Sequence, residues 1–289
     1  MAYLKNFFLV ITLVLFAYSS AHAVQAQVIG QKLASLEKIN GKFTFAVIGD
    51  NRSGDDVYKK IIGMLMERRP DFVINLGDQI IHPGTLSEWK NFWKLSEPVT
   101  VPYFLTVGNH DANNKKSEDV YKEQVDLPGN ELYYSFTTGN SLFIVLDTYF
   151  TGQNKRITAE QYVWLEKLLE TTNKRHKFAF LHHPLFPDRL GFSGSLDAYP
   201  LERDRLQKLF VKHRVETVFA GHLHLYLRKT FNGMPQIITG GAGAGLIAYD
   251  ELGGFYHFIL MTVDGDNISG EVIDVDNKVK DKFILDSQS

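Results

Sequence analysis

The chain has 289 residues, of which 44% are hydrophobic, and a formal net charge of −2. This length accommodates one large α/β domain or two small ones, with enough apolar side chains for a sizeable core. A small net charge without a long basic block excludes a surface that coats nucleic acid. The absence of cysteine excludes disulfides, thiolate metal sites and a cysteine nucleophile.

Residues 1–23 have the layout of a secretory signal peptide, with Lys5 ahead of an apolar run over Phe7–Tyr18 and small residues up to Ala23. The apolar run is short for a membrane span. We expect cleavage after Ala23, with Ala26 as a second option and an uncleaved anchor helix as the alternative. The chain is therefore predicted to be periplasmic or secreted, with no stable membrane span after cleavage.

Residues 24–41 are expected to form a polar lead-in, and the pattern of residues 42–289 indicates one domain. Apolar β-rich runs predict strands at Phe43–Ile48, Phe72–Leu76, Tyr103–Val107, Leu142–Leu146, Lys177–Leu181 and Glu216–Ala220. Amphipathic runs predict helices at Asp56–Arg68, Leu86–Leu95, after Thr158, and at Leu201–His213. This alternation indicates a layered α/β fold with parallel strand pairs.

Four later apolar runs have no helices between them and predict antiparallel strands in a second sheet or a mixed edge. They are Leu225–Thr230, Gln236–Thr239, Tyr256–Val263 and Ile268–Val275. Among the helices, the one after Thr158 has the clearest start signal. Thr158 and Gln161 match a capping box, and Ile157 is placed to pack against Tyr162 as a hydrophobic staple.

Short polar segments interrupt this pattern, and all but one begin right after a predicted strand. They are Gly49-Asp50-Asn51-Arg52, Gly77-Asp78, Gly108-Asn109-His110-Asp111, His182-His183-Pro184 and Gly221-His222-Leu223-His224. The carboxyl ends of strands form the ligand crevice of open α/β sheets, and glycine permits a sharp turn there. Each segment alone is more often a turn, a cap or a satisfied histidine. Their co-occurrence predicts a metal site, and carboxylate, amide and imidazole ligands suit Mn, Fe, Zn or similar ions.

In this order the segments resemble the calcineurin-like metallophosphoesterase family, whose pattern is G-D-x-H, G-D, G-N-H-[DE], H-x-P and G-H-x-H. The resemblance extends from Asp50 to the stretch Gly240–Gly245. It implies a four-layer α/β/β/α sandwich with two mixed sheets. It also implies two divalent metal ions and a hydrolase in which a metal-bound hydroxide attacks the phosphorus of a phosphate ester in line.

The resemblance also implies roles for individual residues. Asp78 would bridge the two ions, Asp50 and His224 would bind the first ion, and the second ion would be held by Asn109, His182 and His222. His110 would stand beside the scissile phosphate as general acid or electrostatic stabiliser, with Asp111 orienting it through the other ring nitrogen. His183 would either contact the leaving group or support its neighbours by hydrogen bonding.

The sequence departs from the family pattern at Arg52, which stands at the position of the first-motif histidine. A guanidinium stays protonated and cannot bind a cation, so the first metal loses one ligand. Purple acid phosphatases also lack this histidine but supply a tyrosine where this chain has Ile81. We expect a two-metal enzyme with a loosely held first ion and Arg52 near the substrate phosphate. The alternatives are one metal plus Arg52, and a salt bridge from Arg52 to Asp55 or Asp56.

The leading interpretation is therefore an exported, metal-dependent phosphomonoesterase that acts on a small phosphorylated substrate. One alternative is a phosphodiesterase that acts on nucleotides or phospholipid headgroups. The other is a non-catalytic metal- or phosphate-binding protein that has lost one metal site. The loops 79–84 and 185–200, the latter with Arg189, Gly194 and Tyr199, are candidates to border the substrate pocket.

Overall fold

The computed structural model describes residues 29–188 and 194–285. The predicted signal peptide (1–23) and the loop residue Arg189 lie outside the described residues. Residues 29–37 form a helix, α1, within the range expected to be a polar lead-in, and Leu36 of this helix is buried in the core. Within the described ranges, no helix combines the length and apolar content that crossing a bilayer requires.

The strands and helices alternate along most of the chain. The strands are β1 (Phe43–Ile48), β2 (Phe72–Asn75), β3 (Tyr103–Leu105), β4 (Tyr134–Thr138), β5 (Ser141–Val145), β6 (His176–Leu181), β7 (Thr217–Ala220), β8 (Tyr226–Phe231), β9 (Met234–Thr239), β10 (His257–Asp264), β11 (Asn267–Asp274) and β12 (Val279–Leu285). The helices after α1 are α2 (Asp55–Glu67), α3 (Leu86–Ser96), α4 (Lys115–Gln124), α5 (Ala159–Thr171) and α6 (Pro200–Lys212).

These strands form two mixed sheets of six strands each, which confirms the predicted α/β sandwich. The first sheet has the order β12-β11-β10-β1-β2-β3, with β1, β2 and β3 parallel and β10 antiparallel to β1. The second has the order β4-β5-β6-β7-β9-β8, parallel from β5 to β9 with antiparallel edges. The carboxyl ends of the parallel strands of each sheet form one edge, where ligands bind in open α/β sheets.

Aromatic rings hold the two sheets face to face. The ring centroid of Phe143 on β5 lies 5.3 Å from that of Phe45 on β1 and 5.0 Å from that of Phe72 on β2, edge-on in both pairs. The residues before and after it, Leu142 and Ile144, point the other way, into a cluster that contains residues of α5 and α6. Alternating side chains of β5 therefore pack against the first sheet on one face and against the helical layer on the other.

Several elements differ from the sequence-based expectations. The helix α4 and the strands β4 and β12 were not predicted; α4 is almost entirely polar, and β12 is an edge strand with several exposed residues. The predicted capping box is wrong. Thr158 is the N-cap of α5 but makes no side-chain cap bond, because its hydroxyl donates to Gln153 Oε1. The side-chain amide of Gln161 does not return to the N-cap, because it is paired with both backbone groups of Asp147, at 2.9 Å each.

Replacement of Phe143 by alanine tests the contact between the sheets. Phe143→Ala should lower the free energy of unfolding by about 3–5 kcal/mol, because it leaves a cavity where the ring meets both strands of the first sheet. Chemical denaturation measures this loss. Val163→Ala, at a site on α5 that is 62% exposed, is the control and should change stability by less than about 0.5 kcal/mol. Equal effects of the two substitutions would contradict the role of the ring.

Candidate metal centre

The residues predicted to bind metal meet at the edge where the parallel strands of both sheets end. The aspartates and the asparagine follow strands of the first sheet, and the histidines follow strands of the second. After β1, β2 and β3 come Asp50, Asp78 and Asn109, and after β6 and β7 come His182, His222 and His224. The centre therefore straddles the junction of the two sheets.

Unusual backbone conformations allow this close approach. Asp50 and Asp78 have left-handed backbones, with φ of 59° and 58°, a conformation that costs free energy for residues other than glycine. A Cβ atom at Gly108 would lie 2.2 Å from the backbone nitrogen of Asp78, and one at Gly221 would lie 2.5 Å from Asp50 Oδ2. Glycine is required at both positions because any side chain would push the two carboxylates away.

Three atoms that can bind a metal ion meet around Asn109. Its Oδ1 lies 3.0 Å from His182 Nε2 and 3.0 Å from His222 Nδ1. His182 Nδ1 donates to the carbonyl oxygen of Leu76 at 2.8 Å, so the neutral ring turns the lone pair of Nε2 toward Asn109 and toward Asp78 Oδ1, at 3.3 Å. Burial lowers the pKa of His182 and keeps its ring neutral. A divalent cation fits among these lone pairs, and amide, imidazole and carboxylate are suitable ligands for it.

A second group of candidate metal ligands lies around Asp50. Asp50 Oδ2 accepts the backbone N–H of His222 at 2.8 Å, whereas Oδ1 is buried, without a hydrogen-bond partner, 3.6 Å from His224 Nε2. Burial and the nearby carboxylate of Asp78 raise the pKa of Asp50 well above its usual value. His224 Nδ1 donates to the carbonyl oxygen of Gly245 at 2.7 Å, which leaves Nε2 as an acceptor. This is the position expected for the first ion.

Arg52 reaches into this first position. Its Nε donates to Asp78 Oδ2 at 3.0 Å, and its Nη2 lies 3.5 Å from His224 Nε2. The alternative salt bridge to Asp55 or Asp56 is therefore wrong, because Arg52 pairs with the buried carboxylate of Asp78. The side chain of Arg52 is 19% exposed, so the guanidinium lies inside the centre rather than on the surface.

The expected role of Asp111 in orienting His110 is also wrong. Asp111 is fully buried and turns away from the imidazole. Its two oxygens accept backbone N–H groups at 2.8–3.2 Å from Asp78, Gln79, Ile80 and Gly108. A carboxylate can accept this many donors, and it thereby fixes the loops that carry Asp78 and Asn109.

His110 is oriented by a backbone carbonyl instead. Its Nδ1 donates to the carbonyl oxygen of Ile81 at 2.6 Å, and its backbone N–H donates to Asp78 Oδ1 at 3.0 Å. The carboxylate of Glu88 holds this loop, because it accepts the backbone N–H groups of Ile81 and His82, both at 2.8 Å. Sequence reasoning missed Glu88; no short motif signals a carboxylate that acts through a loop.

His183 adds a third imidazole beside His182 and His222. One nitrogen from each of the three rings could bind a metal ion, and these atoms lie within 4.8 Å of one another. The same holds for one ligand atom each of Asp50, Asp78 and His182. His183 Nδ1 contacts Thr148 Oγ1 at 2.9 Å, whereas its buried Nε2 has no hydrogen-bond partner. Burial lowers the pKa of His183 well below its usual value. A neutral ring with an unpartnered nitrogen can support or join the ligand set.

The two candidate substrate loops border the centre to different extents. Ile81, in the loop 79–84, contacts His110 through its carbonyl oxygen. In the loop 185–200, a Cβ atom at Gly194 would lie 3.5 Å from His222 Nε2, so this residue passes beside the centre. Tyr199 is engaged elsewhere, with the guanidinium of Arg156 4.5 Å from the centroid of its ring.

Residues 43–226 match the family described as calcineurin-like phosphoesterase. This match covers more than half of the chain, so the chain belongs to the calcineurin-like phosphoesterase family. The resemblance that the motifs indicated is thereby confirmed.

Curated relatives match about two thirds of the chain. Probable inactive purple acid phosphatase 27 of Arabidopsis thaliana is 28% identical over 224 residues, which are 63% of this chain and 36% of the plant protein. Serine/threonine-protein phosphatase CPPED1 of Danio rerio is 27% identical over 229 residues, which are 69% of this chain and 71% of that protein. The chain thus spans little more than a third of the length of the plant relatives that it matches.

Solved structures share the fold. The purple acid phosphatase PPD1 of yellow lupin (Lupinus luteus) superposes with a TM-score of 0.72 at 22% identity, covering 86% of this chain and 54% of that one. A dimetal phosphatase from Danio rerio gives 0.65 at 15% identity, covering 86% of this chain and 100% of the other. At these identities the likeness establishes the two-sheet architecture.

Replacement of Asp111 separates its loop-fixing role from the one first expected. Asp111→Asn should lower the free energy of unfolding by about 3 kcal/mol, because an amide NH₂ would face backbone donors. Thermal and chemical denaturation measure this. Asp119→Asn is the control; its side chain is 56% exposed and its ion pair with Lys115 is a surface pair, worth about 1 kcal/mol or less. Unchanged stability with an altered pH profile of activity would restore the orienting role.

Proposed function

We propose that this chain is a metal-dependent hydrolase of phosphate esters. The observation that carries the proposal is the meeting of Asn109 Oδ1 with His182 Nε2 and His222 Nδ1, at 3.0 Å each. Because His182 Nδ1 donates to Leu76, His182 Nε2 and Asn109 Oδ1 both present lone pairs, and a divalent cation between them would satisfy both. A binding site for a cation beside an oriented histidine suits phosphoryl transfer.

Asp78, Asn109, His182 and His222 would hold the divalent ion. When bound, such an ion lowers the pKa of a water molecule and polarises a phosphoryl oxygen. The chain itself orients His182, because the carbonyl oxygen of Leu76 sets its tautomer. His110 donates its Nδ1–H to the carbonyl oxygen of Ile81, so Nε2 carries a proton only in the imidazolium form. That form would give the Nε2 proton to the leaving oxygen or stabilise charge on the phosphate.

The proposed substrate is a small phosphate monoester, with a phosphodiester as the alternative. The relatives whose names include the word phosphatase support a monoester over a diester. Export to the periplasm or the medium is part of the proposal and rests on residues 1–23. N-terminal sequencing of the mature protein tests it; a chain that still begins at Met1 would contradict export by signal cleavage.

A non-catalytic binding protein is the second candidate. It is favoured by the loss of the first-motif histidine at Arg52 and by relatives named probable inactive purple acid phosphatases. Such a protein would bind metal and inorganic phosphate without turnover. A single experiment that measures both metal binding and turnover therefore distinguishes the hydrolase from the binding protein.

Metal loading with two chromogenic substrates tests the proposed activity. The full chain, stripped with a chelator and reloaded with Mn, Zn, Fe or Mg, should hydrolyse p-nitrophenyl phosphate faster than its bis-ester. Faster bis-ester cleavage would favour the phosphodiesterase, and metal binding without turnover would favour the binding protein.

Replacement of one ligand links the metal to the activity. His222→Ala should weaken metal binding at least about tenfold and remove turnover at low metal concentration, because it removes one ligand of the ion. Mass spectrometry of metal content and a metal titration of activity measure both effects. His213→Ala, at the end of α6, is the matched control and should change neither. Full metal binding and activity in His222→Ala would overturn the assignment.

Replacement of Glu88 tests the orientation of His110. Glu88→Ala should lower kcat about 10–100-fold with little change in KM, because the backbone N–H groups of Ile81 and His82 lose their acceptor and the imidazole shifts. The pH profile of kcat should move as well, since the Nδ1 partner of His110 changes. Glu97→Ala, an exposed change near the end of α3, should leave all three unchanged. Lower stability of Glu88→Ala with unchanged kcat and pH profile would show a purely structural role.

A further inference from the structure

We propose that the guanidinium of Arg52 takes the place of the first metal ion, so that the centre uses one divalent ion and one fixed side-chain cation. This inference rests on the proposed function of the site. It replaces the expectation of a loosely held first ion, and it starts from the contacts of Arg52 with the donors that such an ion would need.

Arg52 contacts two of the three metal-ligand atoms that remain at the position of the first ion. Its Nε lies 3.0 Å from Asp78 Oδ2, and its Nη2 lies 3.5 Å from His224 Nε2. The third of these atoms, Asp50 Oδ1, then remains as a possible metal ligand. A single carboxylate oxygen does not hold a first-row divalent ion, which takes about four ligands or more. Among the described residues, Asp78 and His182 serve the second position, so the first position has no ligand set of its own.

The two oxygens of Asp78 face different partners. Oδ1 lies 3.3 Å from His182 Nε2, on the side where the second ion would bind, whereas Oδ2 accepts Nε of Arg52. In the family pattern this carboxylate bridges two ions. Here the same bridge would join one ion to one guanidinium, which leaves the negative charge balanced on both sides.

A second divalent ion would also meet electrostatic repulsion. An ion bound to Asp78 Oδ2 would share that oxygen with the positively charged guanidinium of Arg52. Like charges that are a few ångströms apart repel strongly where water is largely excluded. Arg52 is held in this place by the buried carboxylate, so an ion could enter only by displacing the ion pair.

A guanidinium and a metal ion do not supply the same chemistry. Arg52 offers planar N–H donors, and those not used by Asp78 and His224 suit two oxygens of a phosphoryl group. It cannot lower the pKa of a bound water molecule as a metal ion does. In this arrangement Arg52 binds and orients the phosphate, and activation of water depends on the second position alone.

Metal stoichiometry tests this inference directly. The full chain saturated with Mn²⁺ should bind one ion, measured by mass spectrometry and titration calorimetry, and should give the electron paramagnetic resonance spectrum of an isolated Mn²⁺. Arg52→His restores the family's ligand and should bind a second ion, with the spectrum of a spin-coupled pair. Arg52→Lys keeps the positive charge and should stay at one ion.

The result for the unsubstituted chain is decisive even if a variant does not fold. Two ions with a spin-coupled spectrum in that chain would overturn the inference, whatever the activity. One ion together with turnover would support both the inference and the proposed function. One ion without turnover under any loading would support the role of Arg52 and reject the hydrolase, so the two failures are distinguishable.

Discussion

Burial of negative charge at the junction of the sheets is the constraint on which the site depends. Asp50 and Asp78 are 0% and 1% exposed. Burial alone would raise the pKa of Asp78, but the hydrogen bond from the backbone N–H of His110 and the charge of Arg52, among other neighbours, hold the pKa below its usual value. An ionised carboxylate in such surroundings persists only where cations or donors compensate it. Arg52 and the proposed ion would supply the compensating positive charge, and the histidines lie beside the carboxylates where they can bind that ion.

The rest of the fold keeps these groups in place. Phenylalanine rings set the spacing of the sheets, and the glycines before the polar segments let loops from both sheets approach within hydrogen-bond distance. Asp111 holds two of these loops by accepting four backbone N–H groups. Packing and loop hydrogen bonding thus fix the geometry, so that a bound cation would meet ligands already positioned for it.

Sequence reasoning predicted the core strands and the identity of the converging residues. The first strand, Phe43–Ile48, was predicted with its observed bounds, because a buried β-rich run followed by glycine is a strong local signal. The helix α4 was missed because its sequence is almost entirely polar. Such a helix is held by its capping Asn114 and by tertiary packing, which short-range patterns do not show.

Within the site, the sequence identified which residues meet but not which atoms face each other. Asp111 follows His110 in the chain, which suggested a pair, yet its carboxylate lies among backbone donors that come from another loop. The partner of Arg52 is likewise a residue far along the chain, Asp78, rather than a neighbouring acid. Contacts of this kind depend on how loops cross, and one-dimensional spacing does not contain that information.

The order of strands also determines when the centre can form. The strand that carries Asp50, β1, lies between β2 and β10, and β10 comes from the last part of the chain, after the whole second sheet. Pairing over so great a sequence separation is slow. The carboxylate half of the centre therefore gains its support only when β10 pairs with β1, so a metal ion would meet a complete ligand set late in folding rather than early.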